Sequence, residues 1–128
     1  MSEASMLKEF LELVQIPVQS RDERKIADVL KKKLLDLGLS VEEDNAAEKL
    51  GGNTGNLIAR LPGDPDVPSI LLSAHMDRVK NPGAIHPVVN EAEGLIKSDG
   101  TSILAADDVS GLCAVLEGLR RVRESGRP

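Results

Sequence analysis

Aromatic side chains are almost absent from this chain of 128 residues: Phe10 stands alone, with no tryptophan and no tyrosine. Platforms for single-stranded nucleic acid stack bases on aromatic rings, so that class of function is disfavoured. The interior must be assembled from Leu, Ile, Val and Ala. A block of one charge is lacking too. The 16 basic and 21 acidic residues are interspersed, for a net charge of −5. The nearest thing to a basic run, Lys31-Lys32-Lys33, falls on the polar side of a predicted helix, so a phosphate backbone meets no positive stripe. Cys113 is the single cysteine, which excludes an internal disulfide and favours a reducing compartment. No apolar run approaches membrane-spanning length, and Met1-Ser2-Glu3-Ala4-Ser5 has neither the basic segment nor the apolar stretch of a secretory leader. The expectation is a cytoplasmic protein that binds neither nucleic acid nor membrane.

What is present is an ordinary globular balance, 41% hydrophobic and 29% charged, on a length suited to one compact unit. Leu7, Phe10, Leu11 and Val14 recur at helical spacing behind Ser5, which is placed to cap the first turn. Ile16-Pro17-Val18 interrupts that helix. Ser20 with Glu23 three positions on forms a capping-box pattern ahead of the stripe Ile26, Val29, Leu30, Leu34 and Leu37, and Gly38 closes it as a left-handed cap. The period then changes to two, with Leu39, Val41 and Glu43 on one face of a strand. Residues 45–55 read as a loop.

Strands are expected over Asn56 to Leu61 and Ser69 to Ala74, on either side of a Pro- and Asp-rich turn. The second is apolar nearly throughout, as in a strand covered on both faces. After a turn at Asn81 to Gly83 come short extended pieces at Pro87-Val88-Val89 and Leu95-Ile96-Lys97, then an Asp99-Gly100 turn. A last helix begins near Asp107 or Asp108, with Val109, Leu112, Leu116, Leu119 and Val122 on its apolar face. Helices and strands alternate, so the class is α/β.

Two constellations can carry chemistry. In Ser73-Ala74-His75-Met76-Asp77, extended geometry projects His75 and Asp77 to one side. The carboxylate can then take one imidazole N–H and leave the other nitrogen for a metal. A hydrogen-bonded surface pair would look the same. In Ala105-Ala106-Asp107-Asp108-Val109, two carboxylates meet at a helix start where one suffices as a cap. The other is available to a cation that accepts carboxylate oxygen alongside imidazole nitrogen. Gly51-Gly52-Asn53-Thr54-Gly55 is glycine-rich but has no P-loop lysine and leads into no helix, so nucleotide binding has little support.

Taken with Leu13-Val14-Gln15-Ile16-Pro17 and Gly55-Asn56-Leu57-Ile58-Ala59, the His75-Met76-Asp77 step and the stretch from Ser98 to Gly111 occur in the order of a known family. The chain resembles the dinuclear zinc metallopeptidases that include peptidase T, together with related dipeptidases, aminoacylases and glutamate carboxypeptidases. The resemblance implies a three-layer α/β zinc-peptidase catalytic domain of which residues 1–128 are the N-terminal portion, with a mixed sheet and flanking helices. It implies that His75 binds one zinc ion, that Asp77 is the catalytic-site aspartate orienting it, and that Asp107 bridges two zinc ions. It also implies a cis peptide between Asp107 and Asp108. Arg78, Ala105 and Val109-Ser110 depart from the residues common at those positions, and His86 matches no ligand.

The family's catalytic glutamate with its neighbouring glutamate ligand, a further acidic ligand and a late histidine have no counterparts here, since Glu117 and Glu124 sit on a helix expected to run away from the site. The expected parent activity is aminopeptidase-like hydrolysis of short peptides, tripeptides above all. The isolated chain is expected to bind zinc weakly or not at all and to be inactive. An exposed sheet edge or apolar patch is expected to drive self-association. The alternative is a non-catalytic remnant or fragment serving as an assembly or binding module.

Overall fold

The computed structural model describes residues 3–80 and 83–126, and within these it has four helices and two small antiparallel sheets. Helix α1 spans Glu3–Val14 and α2 spans Arg24–Asp36. Strand β1 (Ser40–Glu43) follows, then a short helix α3 (Ala46–Leu50) and strand β2 (Leu57–Arg60). Strands β3 (Pro87–Asn90) and β4 (Leu95–Ser98) precede the long helix α4 (Ala106–Ser125). The α/β class read from the sequence is the class observed, and each sheet is an antiparallel pair.

The helices form where the apolar spacing puts them, but their starts differ from expectation. Ser5 lies inside α1, which begins at Glu3, and so does not cap it. Ser20 does not open α2 either. Residues 19–22 make a tight turn with a Gln19–Asp22 bridge, and Arg21 adopts φ 74°. That backbone cannot be helical, so the helix waits until Arg24. The Glu23 carboxylate accepts the Arg21 amide at 2.7 Å, while the Arg24 amide reaches Asn53 Oδ1 at 3.2 Å. A residue 29 positions away thus does the work assigned to a local capping box. The other end behaves as expected. Gly38 at φ 82° lets its amide reach Leu35 O at 2.8 Å and the Leu39 amide reach Leu34 O at 3.1 Å, a Schellman closure of the last turn.

Strands β1 and β2 pair with Val41 opposite Ala59 and Glu43 opposite Leu57, and β3 and β4 pair with Val89 opposite Ile96. The expected loop at 45–55 contains α3, ended by Gly51 at φ 69°. Gly55 is fixed by space: a Cβ there would collide with the Asp44 carbonyl.

The larger correction concerns residues 69–74, expected as a strand covered on both faces. They form no ladder, and Ile70 and Leu71 are 86% and 90% exposed. A continuous apolar run can be a buried strand only if other strands flank it, and none among the described residues does. The expected turn at Asn81 to Gly83 lies partly outside the described residues.

The core brings α1, α2 and α4 together around Leu13, Val14, Ile26 and Val109, which are all but inaccessible. Glu9 is also buried in this interface. It pairs with Arg120 of α4 (Oε2 to Nη1, 2.8 Å) and with Lys33 of α2 at 3.3 Å. Arg120 and Arg121 in turn face Glu117, the latter at 2.8 Å, so one run of alternating charges ties three helices.

Candidate metal centre

His75 lies on an irregular stretch whose Ala74 and Met76 pack against the core, and Asp107 lies at the start of α4. These two residues, 32 apart in sequence, meet: His75 Nε2 and Asp107 Oδ1 are 2.8 Å apart. The other ring nitrogen, Nδ1, is 3.1 Å from Asp77 Oδ1 and 3.1 Å from the Asp77 carbonyl oxygen. Each imidazole nitrogen therefore faces an acceptor, an arrangement fully bonded only when both nitrogens carry protons. Partial burial works against that charged form, but the bonds to Asp107 and then Asp77 outweigh it and raise the imidazole above its ordinary 6.5.

The division of labour between the two aspartates follows from α4. Asp108 Oδ1 accepts the Gly111 amide at 3.1 Å, the bond of a helix cap, and a Cβ on residue 111 would press into that carboxylate. Asp107, with φ −91° and ψ 102°, is not helical, and its side chain is 93% exposed. One carboxylate closes the helix and its neighbour turns to His75. The peptide joining them is cis, as the resemblance implied.

An imidazole nitrogen backed by a carboxylate, facing a carboxylate oxygen, is a donor set of the kind zinc accepts, and the Nε2 proton occupies the place an ion would take. Two ligands on one tetrahedral zinc stand about 3.3 Å apart, so a modest swing of the exposed Asp107 side chain suffices. The fit is good in kind and incomplete in number. Among the described residues no group of three or more His, Cys, Asp or Glu is arranged to hold an ion. His86 is exposed ahead of β3, and Glu117 is engaged by Arg121.

Beside the centre, a hollow of about 330 Å³ is lined by Val79, Ile103 and Leu104 as well as His75 and Asp107. A wider open groove of about 990 Å³ runs between the 70–77 stretch, α2, β2 and α4. Sequence reasoning missed Arg78. It is 3% exposed and donates to Leu13 O (2.8 Å), Val14 O (3.1 Å) and Ile16 O (2.8 Å), the carbonyls where α1 ends. It also passed over Glu9, whose signal was legible: an acidic residue four positions before Leu13, on the buried face of the helix.

No protein-family model matches the chain. It is 42% identical over 123 residues to the uncharacterized protein YqjE of Bacillus subtilis, covering 96% of this chain and 33% of that protein. Among solved structures it superimposes on a tripeptidase from Staphylococcus aureus with TM-score 0.92 and 41% identity, over 100% of this chain and 34% of the tripeptidase. It superimposes on the aminopeptidase PepT from Bacillus cereus with TM-score 0.93 and 39% identity, again over 100% of this chain and 34% of that one. The chain thus spans about a third of the length of these proteins, and its fold matches the N-terminal part of the peptidase T catalytic domain. No helix among the described residues is long and apolar enough to cross a membrane.

Proposed function

We propose that residues 1–128 are a portion of the catalytic domain of a zinc-dependent metallopeptidase that hydrolyses short peptides in the manner of a tripeptide aminopeptidase. The observation that carries this reading is the meeting of His75 Nε2 and Asp107 Oδ1 at 2.8 Å while Asp108 is spent on the helix cap. Peptidase relatives of closely similar fold support it. His75 and Asp107 would hold zinc. When bound, zinc supplies Lewis acidity toward a peptide carbonyl. Asp77 accepts a hydrogen bond from His75 Nδ1–H, which fixes the ring and would leave Nε2 to face the ion. Asp107 is the exposed carboxylate of its pair.

Two donors fall short of the three or four that a stable zinc centre uses, so this chain by itself holds zinc weakly and turns over no peptide. Zinc titration by calorimetry and tripeptide hydrolysis with added zinc test both parts. Weak binding that His75→Ala and Asp107→Ala each abolish is the expected result. Zinc binding indifferent to both substitutions would sink the assignment, and robust turnover lost in His75→Ala would overturn the expected inactivity.

A second reading, an assembly module, is favoured by the exposed Ile70, Leu71 and Leu72. An exposed apolar stretch with no ladder partner among the described residues is suited to pairing with the same stretch of a second copy. Sedimentation should show concentration-dependent association, and a monodisperse monomer at high concentration would count against it. The single cysteine, buried and reduced, fits a cytoplasmic setting.

A further inference from the structure

Residues 69–80 carry His75 and Asp77 yet belong to no helix or sheet. Among the described residues their backbone makes a single backbone–backbone hydrogen bond, from the Ser20 amide to Arg78 O at 2.9 Å. A stretch so free of ladder bonds needs another device to place its side chains. Arg78 is the candidate, one residue beyond Asp77 and three beyond His75. Its guanidinium is buried with no carboxylate partner among the described residues, and its two terminal nitrogens donate to the carbonyls of Leu13, Val14 and Ile16. Leu13 and Val14 close the last turn of α1, at the negative pole of its dipole, Leu13 O also accepts the Ile16 amide at 3.3 Å, and Ile16 lies just past the helix.

The anchorage continues around a closed circuit. Helix α1 is joined to α4 through Glu9 and Arg120 as well as through the apolar core, and α4 begins at the Asp107-Asp108 pair. From Asp107 the path returns to His75 across 2.8 Å. We propose that Arg78 is a positioning residue: by fastening the 75–77 stretch to the C-terminal end of α1 it sets the separation of His75 from Asp107. This rests on the reading of those two residues as the ion-holding pair, but the separation itself can be measured without any ion.

The metal-free chain is compared with Arg78→Met and Arg78→Lys by nuclear magnetic resonance, with circular dichroism to confirm folding. In the unaltered chain, Overhauser cross-peaks join the His75 ring protons to the Asp107 β-protons, and the Arg78 guanidinium shows separate, slowly rotating Nη resonances. In folded Arg78→Met those cross-peaks weaken at least severalfold and the Ser20 amide exchanges at least tenfold faster, while Arg78→Lys, which keeps one donor group, recovers part of their intensity. A folded Arg78→Met that is less stable but keeps the His75–Asp107 cross-peaks would reduce Arg78 to a structural helix cap and overturn the proposal. So would a freely rotating guanidinium in the unaltered chain, a result that needs no variant to fold. Zinc titration of the same samples separates the two ideas: cross-peaks that vanish in Arg78→Met, with zinc bound equally by both proteins, would uphold the positioning role and defeat the zinc assignment.

Discussion

Replacing Arg120 with methionine removes the closest donors from a carboxylate that has almost no access to water. The Glu9 side chain is 6% exposed and that of Arg120 15% exposed, and the two form a forked pair between α1 and α4. Breaking such a pair from one side costs about 3–5 kcal/mol, because the remaining charge is buried without compensation. Lys33 still stands 3.3 Å from Glu9, so we expect the lower end, about 3 kcal/mol. For a domain of this size that is about 10 °C in Tm. Urea unfolding at neutral pH measures it, and the double change Glu9→Leu with Arg120→Met should recover most of the loss, since methylenes then replace both charges. Acidification supplies an independent check. Burial alone would raise the Glu9 carboxyl, but the bonds and charges of Arg120 and then Lys33 outweigh it and hold the group below its ordinary 4.5. Its contribution is therefore complete above 4.5 and disappears as pH falls through the lower folded value, so the gap between the parent and Arg120→Met narrows in acid. A loss under about 1 kcal/mol at neutral pH, or a gap that widens in acid, would refute the reasoning.

Four further outcomes follow from the same structure. Asp108→Ala should cost about 1 kcal/mol in thermal unfolding. Gly111→Ala should gain nothing in the parent, where its Cβ presses on the Asp108 carboxylate, yet gain about 1 kcal/mol once Asp108 is alanine. Gly55→Ala should lose about 2 kcal/mol or more in urea midpoint, because the atom it strikes is the Asp44 backbone carbonyl and cannot swing aside. Cys113 is buried, and burial pushes its thiol up to about 11, so at pH 8 it should react with a disulfide reagent about 100-fold more slowly in the native protein than in urea. Equal rates would show the thiol to be accessible.

What could be read from the chain and what could not divides along local and distant causes. The stripe from Ile26 to Leu37 and the Gly38 stop are local, and both stand where the periodicity put them. The start of α2 is not local: Asn53 serves the Arg24 amide from across the molecule, and the Ser20 to Glu23 spacing gives no hint of it. The same distinction explains the centre. One aspartate of the pair was legible as a helix cap because caps are local, and the spare one could be suspected of another task. That Asp107 is the spare one depends on the backbone at 107 and 108. For residues 69–74 apolarity alone could not tell a strand from an extended stretch, since only neighbours make that difference. In the sequence Arg78 is no more than a departure from a family pattern, because its partners lie more than 60 positions back, at the end of α1.

Helix α4 bears Asp107 at one end and Arg120 well along its shaft, and that makes it a lever. From Val109 to Arg120 it runs about 16 Å. A tilt of only about four degrees, pivoting at the Glu9 pair, would carry the far tip sideways by about 1 Å, enough to break the 2.8 Å contact between Asp107 and His75. The ion pair deep between the helices is thus placed to act on Asp107 at a distance, and substitutions there should lengthen the contact of residues 75 and 107 without touching either residue.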